Sequence, residues 1–143
     1  SANLFDLILA MATDIANARQ SKYKADTVLL NPVDIFKLKT LKDTTGRYEM
    51  PAWANENTIG GLKVVESSQV TANTLLVGDF RYGTIYDLED VVVEMGLINE
   101  QFIQNAFTIL AEQRLGLLIK TVDETAFRKV TDIAIAIAAL ETP

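Results

Sequence analysis

Cysteine and histidine are both absent from these 143 residues. Without thiols there is no disulfide, no thiolate nucleophile and no zinc site of the usual kind; without imidazole there is no histidine-based triad. Most ordinary enzyme mechanisms go with them. Basic residues are also few: 13 Lys and Arg stand against 19 Asp and Glu, a formal charge of −6. Gripping a phosphate backbone needs clustered cations, so direct binding to nucleic acid is not expected. Long apolar runs are missing too. The longest, Ile133 to Leu140, has eight residues, well short of the ~20 needed to cross a bilayer. No charged-then-apolar signal sequence opens the chain. The expectation is a soluble protein that works away from membranes, inside the cell that makes it. The chain begins at Ser1, not Met, directly in a helical pattern, which suggests a processed or truncated product.

What is present is apolar residues, at 49% of the chain, enough for a domain with a real core. Leu4, Leu7, Ile8, Met11 and Ile15 recur at helical spacing, with Asn3 as N-cap and Asp6 in the first turn. These predict an amphipathic helix over 3–20. Thr27 to Leu30 reads as a short buried strand. Asn31-Pro32-Val33-Asp34 then supplies a cap, a first-turn proline and a dipole-matched acid for a second helix from Pro32 to about Lys42. A strand followed by a capped helix points to a mixed α/β, or α+β, domain.

From Asp43 to Gly61 the periodicity dissolves into turn residues, and a segment of this kind is usually functional or mobile. Asp43-Thr44-Thr45-Gly46-Arg47-Tyr48 has the sequence of a tight turn, with Gly46 free to take positive φ. Trp53, the sole tryptophan, lies in the same segment. It either pins the loop to its own domain, the simpler account, or anchors a subunit interface. Leu62 to Glu66 and Leu75 to Phe80 read as strands. Thr84 to Leu88 and Val91 to Met95 read as a hairpin turning at Glu89-Asp90.

In 105–127, NAFTILAEQRLGLLIKTVDETAF, Phe107, Ile109, Ala111, Leu115, Leu117 and Ile119 share one parity. That alternation favours a strand with one oily face over a helix. Fourteen such residues would span roughly 46 Å, longer than the roughly 37 Å of a compact domain of this size. Thr131 to Leu140 is read as a short helix.

Conventional sites are weak. Gly60-Gly61 and the Gly78 to Gly83 spacing lack the lysine-bearing phosphate-loop pattern. The adjacent acids Glu89-Asp90 and Asp123-Glu124 read as solvated turn residues, and Ser67 and Ser68 have no base to activate them. No cofactor or metal is called for.

The segments 29–51, 61–70, 75–96 and 105–127, in this order and spacing over most of 25–131, resemble the C-terminal half of tailed-bacteriophage major capsid proteins of the Hong Kong 97-type fold. The resemblance implies a central sheet flanked by helices in an axial, capsomer-centre domain, 1–83. A part of an elongated peripheral domain with a long strand, 84–143, would follow. It implies a non-enzymatic phage or prophage head subunit whose partners are its own copies in hexamers and pentamers, with a scaffold or maturation protease as further partners. Localisation would be the virion, after assembly in the bacterial cytoplasm. Residues 43–48 would converge on the capsomer axis.

Some relatives join subunits by attack of a lysine on an asparagine, with a glutamate as base. Asn105 and Glu112 match the last two positions, but the lysine would sit on an E-loop that these residues do not include. A structural role is favoured: Glu112 pairing with Arg114 and Asn105 satisfying local backbone. An N-terminal arm and a spine helix would likewise precede the matched region, so these 143 residues alone are expected to remain monomeric or form small oligomers. The alternatives are an encapsulin-type shell protein and a small α/β ligand-binding domain with its site in 43–61. Electron microscopy separates shells from non-shells, and neighbouring genes separate phage from encapsulin.

Overall fold

The computed structural model describes residues 2–49, 54–55 and 57–141. Helix α1 (Leu4–Asn17) is closed at its start by a reciprocal cap: the Asp6 N–H donates to the Asn3 side chain and the Asn3 N–H to Asp6. Its buried stripe, Leu4, Leu7, Ile8, Met11 and Ile15, is the one expected, with Phe5 added. The helix stops sooner than expected. No apolar residue continues the stripe after Ile15 except alanine, and Arg19, Gln20 and Ser21 turn left-handed with φ of 45°, 55° and 64°.

Strands β1 (Thr27–Leu30), β2 (Ala54–Asn55), β3 (Thr58–Ile59), β4 (Leu62–Glu66), β5 (Leu75–Gly78) and β8 (Phe127–Val130) form one mixed sheet, ordered β2-β3-β4-β1-β5-β8. Among the described strands only β1 and β4 pair in parallel; β1 with β5 and β5 with β8 are antiparallel. Alternate residues Val28 and Leu30 on β1, and Leu75 and Val77 on β5, are fully buried. Packed on this sheet, α1 contacts both β5 and the C-terminal helix α4 (Ile133–Glu141). Each such side chain contributes about 1.5–3 kcal/mol on burial, an upper figure because unfolded chains already hide some apolar area. Helix α2 (Pro32–Lys39) carries the expected Asn31 cap and first-turn proline, but ends three residues short of Lys42.

A second unit is formed by β6 (Gly83–Gly96) and β7 (Thr108–Ile119), joined through the one-turn helix α3 (Gln101–Gln104). The long strand expected from the alternation is therefore present. The expected hairpin turning at Glu89-Asp90 is not: those residues lie inside a single strand, β6, whose partner is β7. Between Asp87 and Val92 the register slips twice, so β6 spends two more residues than β7 over the same length. Each slip is a bulge that accommodates a residue without reversing the chain.

The division 1–83 and 84–143 also needs correction. The first unit comprises the described residues up to Tyr82 together with those from Lys120 onward, and the second is Gly83–Ile119. The cause is the antiparallel pairing of β8 with β5, from Leu75↔Val130 to Gly78↔Phe127, which returns the chain to the first sheet. The fold class is α+β, as expected.

Candidate functional site

Two surfaces carry the sequence-derived candidates. In the first unit, Lys42 and Tyr48 form an antiparallel bridge around the 43–47 turn. The Asp43 N–H donates to the Arg47 carbonyl at 2.8 Å, and the Gly46 N–H donates back to the Asp43 carbonyl at 3.0 Å. The Asp43 carboxylate sits inside the loop, accepting from the Thr45 N–H at 2.7 Å, the Thr45 hydroxyl at 2.6 Å and the Arg47 N–H at 2.9 Å. These donors hold its pKa below the usual carboxylate range, the Thr45 hydroxyl first. Gly46 takes φ of +81° with open space around its α-carbon. The turn is thus a three-residue hairpin loop closed by a left-handed glycine. Thr44, Thr45, Gly46, Arg47 and Tyr48 all stay exposed. The Lys42 ammonium lies 4.9 Å from the Tyr48 ring centroid. Trp53 lies outside the described residues.

In the second unit, cross-strand register sorts the side chains onto two faces. Ile85↔Leu117, Val93↔Ala111 and Met95↔Ile109 are directly paired, so these residues share one largely apolar face with Leu115 and Ile119, interrupted by Asp87 and Gln113, whose side chains meet at 3.3 Å. The other face is mixed: Glu89↔Arg114, Val92↔Glu112 and Glu94↔Leu110. Most of the apolar face is open, with Ile85 70%, Met95 74% and Leu117 71% exposed. Arg114 pairs across the ribbon with Glu89 at 3.4 Å, not along the strand with Glu112 as expected.

Glu112 is exposed and has no side-chain partner among the described residues. Asn105 caps α3 in the left-handed conformation, its backbone N–H donating to the Gln101 carbonyl. From Thr108, where β7 starts, to Glu112 the strand rises ~13 Å. The two candidates therefore do not meet within one chain.

Sequence reasoning missed two features. Val33 and Phe36 are 52% and 67% exposed on α2, and their positions off the Asp34, Ile35, Leu38 stripe were the available signal. On the far side of α2 lies an open groove of about 590 Å³, bordered by Leu38, Leu41, Ile133 and Ile137 with Asp43 and Glu49 at its edge.

Contiguous exposed apolar surface on this scale is uncommon on monomeric proteins. The chain belongs to the phage capsid family, whose sequence model matches residues 1–132. It is 34% identical over 111 residues to the major capsid protein of Enterobacteria phage HK97, covering 75% of this chain and 29% of that protein. Among solved structures it is similar to a chain of Mycobacterium phage Ogopogo, with a TM-score of 0.67 at 21% identity over 90% of this chain and 50% of that one. It is also similar to the capsid of an empty GTA particle, with a TM-score of 0.62 at 18% identity over 87% and 43%. A virus-like particle from Pyrococcus furiosus gives 0.60 at 15% identity over 89% and 49%. The chain spans half or less of each of these relatives. The common fold is the Hong Kong 97-type capsid fold.

Proposed function

We propose that this chain is part of the major head subunit of a phage or prophage, supplying a capsomer-centre domain and the ribbon of a peripheral domain. Its work is structural. Copies meet through unlike surfaces, rings of five and six close where the rotation between neighbours closes, and many weak contacts add by multivalency into a shell. The 43–48 hairpin faces the capsomer axis, where a short rigid loop with exposed Arg47 and Tyr48 can meet its own copies. Asn105 and Glu112 act structurally, no cofactor takes part, and the shell ends in the virion after assembly in the bacterial cytoplasm.

The observation that carries this reading is the apolar ribbon face. Leaving Ile85, Val93, Met95, Leu115 and Leu117 in water forgoes most of the ~1.5–3 kcal/mol each would contribute when buried, which makes sense when other chains cover them. A net charge of −6 suits a wall that encloses DNA without adhering to it. The 34% identical relative is a phage capsid protein, so a phage head is preferred to a cellular compartment. The test is particle purification from producing cells. Electron microscopy should show icosahedral shells, and peptides of this chain should come from their most abundant protein. Shells in which the chain is absent, or a gene neighbourhood holding a cargo enzyme with no portal or terminase, would count against it.

A further inference from the structure

Helix α2 carries two unlike surfaces. Val33, Phe36 and Lys39 form one i, i+3 row, all exposed. Asp34, Lys37 and Leu38 form an i, i+3, i+4 set on another side, continued by Leu41, and these border the groove. We infer that Phe36 of one copy seats in the α2 groove of the next, making a head-to-tail contact between copies around the capsomer. This rests on the self-assembly reading above and names the contact that would carry it.

Size and charge both favour this occupant. A cavity of ~150 Å³ lined by aliphatic side chains takes one benzene ring, so a groove of about 590 Å³ with an apolar floor takes the Phe36 ring and the neighbouring Val33. Aromatic side chains are enriched at the centres of such contacts. The groove's own cations are already engaged: Lys37 donates to Asp34 at 3.1 Å and Lys42 lies over Tyr48. Glu49, on the rim, has no side-chain partner among the described residues. Lys39 flanks Phe36 on the inserting side, so the incoming cation meets the Glu49 carboxylate, and complementary charge of this kind fixes register. Because knob and groove lie on different sides of one helix, each contact leaves a free knob and a free groove. Such a contact propagates until a ring closes.

These 143 residues hold no cysteine, so thiols introduced into the full-length protein, with any cysteine outside them replaced, report on chosen positions. Lys39→Cys and Glu49→Cys proteins are prepared separately, one carrying a mass tag, co-assembled into particles and treated with a short thiol-to-thiol crosslinker. The expected product is a mixed dimer of one variant with the other, absent when either is assembled alone. A charge exchange, Lys39→Glu with Glu49→Lys, should restore particle yield lost in each single variant, and Phe36→Asp should abolish it. Particles without mixed dimers, or with only like-to-like dimers from Glu49→Cys, overturn the contact and leave the capsid reading standing. A full-length wild-type protein that forms no particles removes the capsid reading and this contact with it.

Discussion

The Tyr23 hydroxyl lies 2.9 Å from a carboxylate oxygen of Asp123, a residue 100 positions further along the chain. The Lys22 ammonium reaches the same oxygen at 2.9 Å, the Val122 carbonyl lies 3.0 Å from the hydroxyl, and Tyr82 meets the Tyr23 ring edge-on at 4.9 Å. A buried polar strap therefore joins the end of the α1 region to the segment before β8. Tyr23→Phe keeps the ring and removes the hydroxyl, and Asp123 retains Lys22. The expected loss is about 1–2 kcal/mol, read as a lower urea midpoint. An unchanged midpoint would show that the strap adds nothing to stability.

Acid should weaken the fold and neutral pH should not. Asp79 is fully buried, and the Arg81 fork at 2.8 Å and 2.6 Å, with the Lys24 N–H, holds its pKa below the usual carboxylate range. Asp123 is lowered by Lys22 and Tyr23, and Asp132 by the Ile135 N–H and Asn73. Folded values below the unfolded ones stabilise the native state above about pH 4, and that contribution is lost as pH falls through the lowered values. With no histidine, no side-chain type present ordinarily titrates between about pH 5 and 8. Urea midpoints should be flat there and drop in acid. Asp79→Asn should lower the plateau and shrink the drop; midpoints that rise on acidification would contradict this account.

Gly78 has no room for a side chain. A methyl group there would collide with the Phe127 ring, and that ring is itself held edge-on to Phe80 at 5.4 Å. Gly78→Ala should cost about 1–3 kcal/mol by overpacking, lowering the melting temperature in calorimetry. Adding Phe127→Leu should return part of the loss. Two additive losses would show that the clash lies elsewhere.

A two-stranded ribbon is marginally stable in water. In the unassembled chain, amides of β6 and β7 should exchange with solvent well before those of β1 and β5, and they should become protected in particles. Equal protection before assembly would mean that the ribbon needs no neighbours.

Glu112 is exposed and, by the rise of β7, set well apart from Asn105 within one chain, so subunits from mature particles should run as single chains after boiling in detergent. Ladders that vanish in Glu112→Gln while particles still form would overturn the structural assignment.

Much of this was legible because it is local. The Asn3 cap and the α1 stripe, the Asn31-Pro32 start of α2 and the Asp43 to Gly46 turn each write their geometry within a few residues. Glu89-Asp90 misled because two acids beside each other look like a turn, whereas a bulge carries no such signature. The two-residue strands β2 and β3 are too short for any period to register. The return of β8 to β5 is non-local, so nothing near Phe127 announces it. The knob on α2 was readable from the helix period, but the groove opposite required α4 to be in place.

The β5–β8 pairing also sets an order of events during synthesis. Strand β8 lies beyond the ribbon, and making the about 37 residues of Gly83–Ile119 takes roughly 2–7 s at ~5–20 residues per second. At the end of that interval the oily ribbon is made and the β5 edge still lacks β8. Nascent chains are then most exposed to wrong pairing, and the arrival of β8 decides when the first sheet closes.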